Sequence, residues 1–243
     1  MNGMPDSTRL KEQAAHKALE YLQSGMLIGL GSGSTTDIFT DLLGEQLRSG
    51  SLRDIRAVPT SEKTAARARR AGIELTSLSE AIKLHPGTPL DLVVDGADEV
   101  DRHFDLIKGL GRALLREKII VVHAQQFIVI VDQSKLVPRL GKKGPLPVEI
   151  LSFEAEAHIN WLNSLGCRAE LWLERDGSPV ITDNGNYLAL CHFKEGISNT
   201  AELSHQLAER PGIIESGLFL GMASRVVVAG NEGVTVQEAS GQQ

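Results

Sequence analysis

Residues 91–118 read DLVVDGADEVDRHFDLIKGLGRALLREK, and this stretch decides the fold. Leu92, Val93 and Val94 form a short apolar run bounded by polar residues, the pattern of a strand buried on both faces in a parallel sheet. At its carboxyl end stand Asp95, Asp98 and Glu99, with Gly96 and Ala97 between them. Three carboxylates in five residues repel one another, so this is not a core pattern. The carboxyl edge of an open α/β sheet is where ligands bind. Lys108 follows, then Gly109 and Gly111, which let backbone N–H groups come close to a ligand. A helix is predicted from about Arg112. On it, Glu117 has Ala113, Leu114, Ile120 and Val121 three and four positions away, so its carboxylate is expected to point inward. Burial moves a carboxylate's pKa up, toward the range useful to a general base. A buried Glu is either such a group or half of an internal ion pair, and Arg116 and Lys118 are too close in sequence to be that partner directly.

Upstream, Thr8–Leu22 carries a helical stripe of Leu10, Ala14, Ala15, Ala18 and Leu22, with Lys11 beside it. By burial statistics Lys11 reads as a solvated lysine. Met26–Gly29 is predicted as a strand that runs into Gly29-Leu30-Gly31-Ser32-Gly33-Ser34-Thr35-Thr36 and then a helix. Strand, Gly-rich turn and helix start together make an anion cradle: backbone N–H groups, hydroxyl donors and the positive end of the helix dipole converge. The same residues also satisfy a plain tight turn and N-cap. The loop is neither a Walker loop, lacking G-K-[ST], nor G-x-G-x-x-G. A weak strand at Arg56–Val58, a helix opened by Pro59-Thr60-Ser61-Glu62-Lys63, a short strand at Ile73–Leu75 and a helical turn at Ser77–Leu84 complete the amino-terminal half.

Downstream, Phe127–Val131 is a buried strand ending in Asp132-Gln133-Ser134-Lys135. Alternating β and α elements to this point mean a parallel, Rossmann-like sheet. The pattern changes at Gly141-Lys142-Lys143-Gly144-Pro145. Beyond it come a strand (Val148–Leu151), a helix (Phe153–Leu165), strands at Ala169–Leu173, Val180–Thr182 and Tyr187–Phe193 with hairpin turns between them, and a helix stopped by Pro211-Gly212. The expected architecture is a Rossmann-like α/β domain, residues 1–145 and 219–243, with a smaller antiparallel α+β, ferredoxin-like domain, residues 146–218. Val226–Val228 reads as a parallel strand returning to the first domain.

The 243 residues are 42% hydrophobic and 23% charged, which is ordinary for a globular chain with a sizeable core. A net charge of -6 argues against non-specific nucleic-acid binding. Cys167 and Cys191 lack C-x-x-C spacing and read as reduced thiols of a cytoplasmic protein. No apolar run approaches the ~20 residues that span a bilayer, and no signal core opens the chain. Seven scattered histidines, with no H-E-x-x-H, give no metal site.

Taken together, GLGSGSTT (29–36), DGADEVD (95–101), KGLGRALLREK (108–118), VDQSK (131–135), GPLPVE (144–149) and TDNGN (182–186) resemble the A-type ribose-5-phosphate isomerases over most of the chain. The resemblance implies interconversion of ribose 5-phosphate and ribulose 5-phosphate through an enediolate, without metal or organic cofactor, in the pentose phosphate pathway or in carbon fixation. It implies Glu117 as general base, Asp95 and Asp98 on the sugar, and Lys108 with Gly109, Leu110 and Gly111 steadying enediolate charge. Ser32, Gly33, Ser34 and Thr35, with Gly96 and Ala97, would form the substrate loops, and Lys11 and Lys135 would lie near the phosphate. Leu110 departs from the family's usual Gly and Ser32 from its usual Thr. Two other classes share the features: a non-catalytic phosphosugar-binding regulatory module and a CoA transferase using a carboxylate nucleophile. Hairpins with exposed edges in the smaller domain predict a homodimer or larger homo-oligomer.

Overall fold

The computed structural model describes residues 6–239. Residues 1–5 and 240–243, assigned above to the ends of the first domain, lie outside the described residues. In chain order the elements begin α1 (Asp6–Leu19), β1 (Leu27–Leu30), α2 (Ser34–Ser49), β2 (Arg56–Pro59), α3 (Glu62–Ala71), β3 (Glu74–Leu75) and α4 (Leu78–Leu84). There follow β4 (Leu92–Asp95), β5 (Glu99–Val100), β6 (Leu106–Ile107), α5 (Leu114–Val121), β7 (Phe127–Asp132) and a single 3₁₀ turn, Gln133–Lys135. The remainder is β8 (Leu146–Ile150), α6 (Ala155–Asn163), β9 (Arg168–Leu171), β10 (Tyr187–His192), α7 (Thr200–Glu209), β11 (Ile213–Ser216), β12 (Leu218–Phe219), β13 (Arg225–Gly230) and β14 (Gly233–Glu238).

The chain divides into two compact units. Within the described residues the first comprises 6–96, Arg116–Lys135 and 222–239. Its seven-stranded sheet has the order β14-β13-β7-β4-β1-β2-β3. All neighbours are parallel except the β13–β14 hairpin. The order reverses between β1 and β4, the switch point at which doubly wound sheets open a crevice at their carboxyl ends. One face is built on Ile28, Leu30, Leu92, Val94, Ile128, Ile130 and Val227, packed against Leu10, Ala14 and Ala18 of α1 and Phe39 and Leu43 of α2. The predicted stripe of α1 is thus core, though the helix ends at Leu19. The other face receives α5: a Cβ at Gly29 would meet Val93 Cγ2 at 2.6 Å and Ile120 Cγ2 at 2.7 Å. Gly29 therefore lets α5 lie close on the sheet.

The second unit comprises Ala97–Leu115 and Leu136–Gly221. Its four strands take the order β11-β8-β10-β9, antiparallel throughout, and with α6 and α7 they follow a β-α-β-β-α-β path, the ferredoxin-like arrangement. Leu146, Val148, Ile150, Leu162, Ala189, Leu203 and Leu207 form the core. Ile107, Val137 and Leu140 sit in that same core, which is why residues 97–115 and 136–145 group with this unit although the alternation of elements assigned them to the first. A small sheet, β12-β6-β5, completes it. Val180–Thr182, predicted as a strand, makes only an isolated bridge, Ile181 to Tyr187. Among the described residues no helix is long and apolar enough to cross a membrane.

Candidate active site

In the first unit, Asp95 ends β4 and is fully buried. Its Oδ1 accepts hydrogen bonds from the backbone N–H of Gly96 (2.7 Å) and Ser32 (3.1 Å). The carboxylate is therefore held against the loop after β1. Gly31 is required there for space alone: a Cβ would lie 2.1 Å from both Cγ and Oδ1 of Asp95. Gly33 has φ 149°, a region favouring glycine, and its carbonyl accepts from Asp37 N (2.7 Å) and Thr36 Oγ1 (2.9 Å). As N-cap of α2 it has no side chain to occupy the first-turn N–H groups, and Ser34 and Thr35 open the helix at its positive end.

Ser32 is oriented differently from the ligand-facing hydroxyl that the loop motif predicts. Its Oγ lies 2.8 Å from Thr60 Oγ1, 2.7 Å from Ser61 Oγ and 2.9 Å from Thr64 Oγ1. Thr60 and Thr64 hydroxyls in turn donate to the carbonyls of Leu30 and Gly31, each at 3.0 Å. A knot of four hydroxyls thus fastens the Gly-rich loop to the start of α3. The segment PTSEKT, read from sequence only as a helix opening, supplies three of them; the signal was the density of hydroxyls ahead of the helix, whose cap Ser61 is.

Glu117 is 1% exposed in the first turn of α5. The carboxyl-terminal end of this helix is tied to the start of β4: Leu90 N donates to His123 O (3.1 Å) and Gln125 N to Leu90 O (2.8 Å). The helix runs antiparallel to the strands, so Glu117, six residues or about 9 Å before His123, lies toward their carboxyl edge. It precedes Ile120, which packs on Gly29, by three positions and shares its side of the helix. Lys11 on α1 and Lys135 in the 3₁₀ turn after β7 are both half-buried.

In the second unit, Asp98 Oδ2 accepts the backbone N–H of Leu110 (2.9 Å). Leu110 is 40% exposed and keeps negative φ, so the turn accommodates it where the family usually has Gly. Gly109 has φ 114° and packs on Leu114 and Pro147. The helix predicted from about Arg112 starts at Leu114 instead, because Arg112 is left-handed (φ 67°). The Arg112 guanidinium pairs with Glu174 and lies 5.0 Å from the Trp172 ring. Lys108 is 2% exposed, its Nζ 5.4 Å from the centre of the Phe219 ring, and its N–H donates to Gly217 O (2.9 Å). Glu99 is buried, and its carboxylate accepts the N–H groups of Gly141 (2.6 Å), Lys143 (2.7 Å) and Gly144 (2.7 Å). Among the described residues no cluster of His, Cys, Asp and Glu has the makings of a metal site.

The family model of ribose 5-phosphate isomerase A (phosphoriboisomerase A) matches residues 56–233. Ribose-5-phosphate isomerase A of Roseiflexus castenholzii is 45% identical over 96% of this chain and 97% of its own length. That of Rhodopseudomonas palustris is 46% identical over 96% and 100%. The solved ribose 5-phosphate isomerase of Plasmodium falciparum is 35% identical and superposes with a TM-score of 0.90, covering 96% of this chain and 100% of that one. A D-ribose-5-phosphate isomerase solved in complex with phospho-erythronic acid is 40% identical, again with a TM-score of 0.90. The regulatory-module and CoA-transferase readings are not favoured by these relatives. With this sheet order, these loops and these relatives, the chain belongs to the ribose-5-phosphate isomerase A family and is an aldose–ketose isomerase.

Proposed function

We propose that Glu117 moves the proton between C2 and C1 of open-chain pentose 5-phosphate. The observation that carries this is a carboxylate 1% exposed at the ligand edge of the sheet, on the side of α5 that faces Gly29. Loss of the C2 proton from ribose 5-phosphate to the carboxylate leaves an enediolate. Return of that proton to C1, with O1 gaining a proton and the C2 hydroxyl giving one up to become the carbonyl, completes ribulose 5-phosphate. Lys108 supplies positive charge for the enediolate oxygens, the kind of preorganised interaction that contributes a few kcal/mol. Asp95 and Asp98 receive sugar hydroxyls and assist ring opening, and Gly96, Ala97, Gly109, Leu110 and Gly111 offer the substrate main-chain groups. Ser34 and Thr35, with the first turn of α2, take the phosphate, and Lys11 and Lys135 add charge. Ser32 acts by holding the loop. Anchoring the phosphate orients the carbons that react. A relative in complex with phospho-erythronic acid supports an acyclic phosphosugar as the bound form.

No metal or organic cofactor is needed for this route. Chelator-treated protein is expected to form ribulose 5-phosphate at the untreated rate; turnover that vanishes with chelator and returns with a divalent cation would overturn the metal-free scheme. A homodimer or larger homo-oligomer is proposed from the open sheet edge of β9. Light scattering at micromolar concentration is expected to give at least twice the chain mass, and a value near 26.3 kDa would refute it. The cytoplasm is the proposed compartment, and cell fractionation checks it.

A further inference from the structure

The two cysteines, which the isomerase chemistry does not use, lie together in the second unit. In the β9–β10 ladder, Cys191 is paired with Ala169. Cys167 comes two residues before Ala169, so strand alternation puts it on the same face, diagonal to Cys191. Both side chains belong to one hydrophobic cluster, Cys191 buried and Cys167 half-exposed against it. The Cys167 thiol donates to the Leu162 carbonyl (3.2 Å), and the two thiols are near enough to shift each other's titration. Cys167 precedes β9 and follows Gly166 (φ 79°), so the ladder does not clamp its backbone.

We propose that Cys167 and Cys191 are an oxidisable dithiol that closes to a reversible intrachain disulfide when the protein meets hydrogen peroxide. The chemistry is asymmetric. The neighbouring Cys191 thiol favours the Cys167 thiolate and draws its pKa below the ordinary thiol value, while the same pairing and burial push Cys191 well up. Cys167, the more accessible and more acidic thiol, is the one that meets oxidant. Its thiolate attacks one peroxide oxygen, the O–O bond breaks, and with a proton from solvent the products are the sulfenic acid and water. The Cys191 sulfur then attacks the Cys167 sulfur; the S–O bond breaks and a second water leaves. In sum, two thiols and one peroxide give one disulfide and two waters. Cα atoms joined by a disulfide are usually about 4.4–6.8 Å apart, and diagonal neighbours stand at roughly 7–8 Å, just beyond that reach, so the unclamped backbone at Cys167 has to move for the bond to close. Closure therefore draws the residues together and leaves a bond that thiols reopen readily.

The test exposes the full chain to hydrogen peroxide, then denatures and alkylates it with iodoacetamide for intact-mass measurement. The expected product is two hydrogens lighter, takes up no alkyl group, and regains both alkylation sites after dithiothreitol. In Cys191→Ser the resolving thiol is gone, and dimedone is expected to label Cys167. Two thiols still alkylated after peroxide would overturn the proposal. So would a disulfide joining two chains on a non-reducing gel, or Cys167 carried to the sulfinic acid while Cys191 remains alkylated. None of these readouts depends on isomerase turnover, so they stand apart from the roles given to Glu117 and Lys108.

Discussion

Glu117→Gln is expected to fold as the parent does and to lose roughly 10²–10⁴-fold in kcat, the usual contribution of a positioned general base. The substitution is nearly isosteric in a site that is 1% exposed, so packing on α5 changes little. What changes is chemistry: an amide does not accept a proton from carbon. Groups that anchor the phosphate are untouched, so KM should move far less than kcat, the signature of an interaction used in the transition state and not in the ground state. Exchange of the C2 hydrogen of ribose 5-phosphate with deuterated water should fall in parallel. A variant with parental turnover and parental exchange would remove Glu117 from the mechanism. Matching circular dichroism and thermal midpoint are needed to read the result as chemistry.

The second large effect is expected from a single methyl group. Gly31→Ala places Cβ 2.1 Å from the Asp95 carboxylate, a distance that no rotation of the methyl relieves. Either Asp95 leaves its place or β1 and β4 separate at their carboxyl ends, where Gly31 N donates to Val94 O (3.0 Å). The first outcome breaks the Ser32 N–H bond to Asp95, and the second disturbs the Thr64 bond to Gly31 O. Overpacking of this kind costs about 1–3 kcal/mol, so the urea midpoint should drop. Because the displaced group is a proposed sugar ligand, kcat/KM should fall further than the stability change alone accounts for. A variant within twofold of the parent in both measurements would mean that the β1 loop is far softer than its hydrogen bonds indicate.

The parts of this fold that were legible in sequence are those with long apolar runs or dense glycine. Leu92–Val94 and Phe127–Val131 are wholly buried strands, as their unbroken apolar runs require. The Gly29–Thr36 loop does join a strand to a helix. Glu117 faces inward because helical spacing surrounds it with apolar neighbours, and that is visible without coordinates. By contrast, β5, β6 and β12 are two residues each, too short for any period to register. They nevertheless draw residues 97–115 into the second unit. The closing hairpin of β13 and β14 turns through Asn231-Glu232 between two glycines, and its second strand alternates weakly, so only the first was read. The hydroxyl knot escaped because its members are 28 to 32 residues apart from Ser32 in sequence, and a side chain bonded across that distance leaves no local pattern. Arg112 delays the start of a helix by adopting a left-handed backbone that its residue type does not advertise.

The buried carboxylate of Glu99 binds the loop at residues 141–144 through main-chain N–H groups alone. At 143 and 144 any residue with an N–H satisfies it, whereas Gly141, at φ 74° with Ile197 3.0 Å from where a Cβ would stand, favours glycine. Drift in composition at 142 and 143 therefore leaves the anchor intact, as two exposed lysines there illustrate. A proline at 141, 143 or 144 would delete a donor, and an inserted or deleted residue would move all three out of register. The constraint on this loop falls on its length, its freedom from proline and the glycine at 141, and very little on the side chains at 142 and 143.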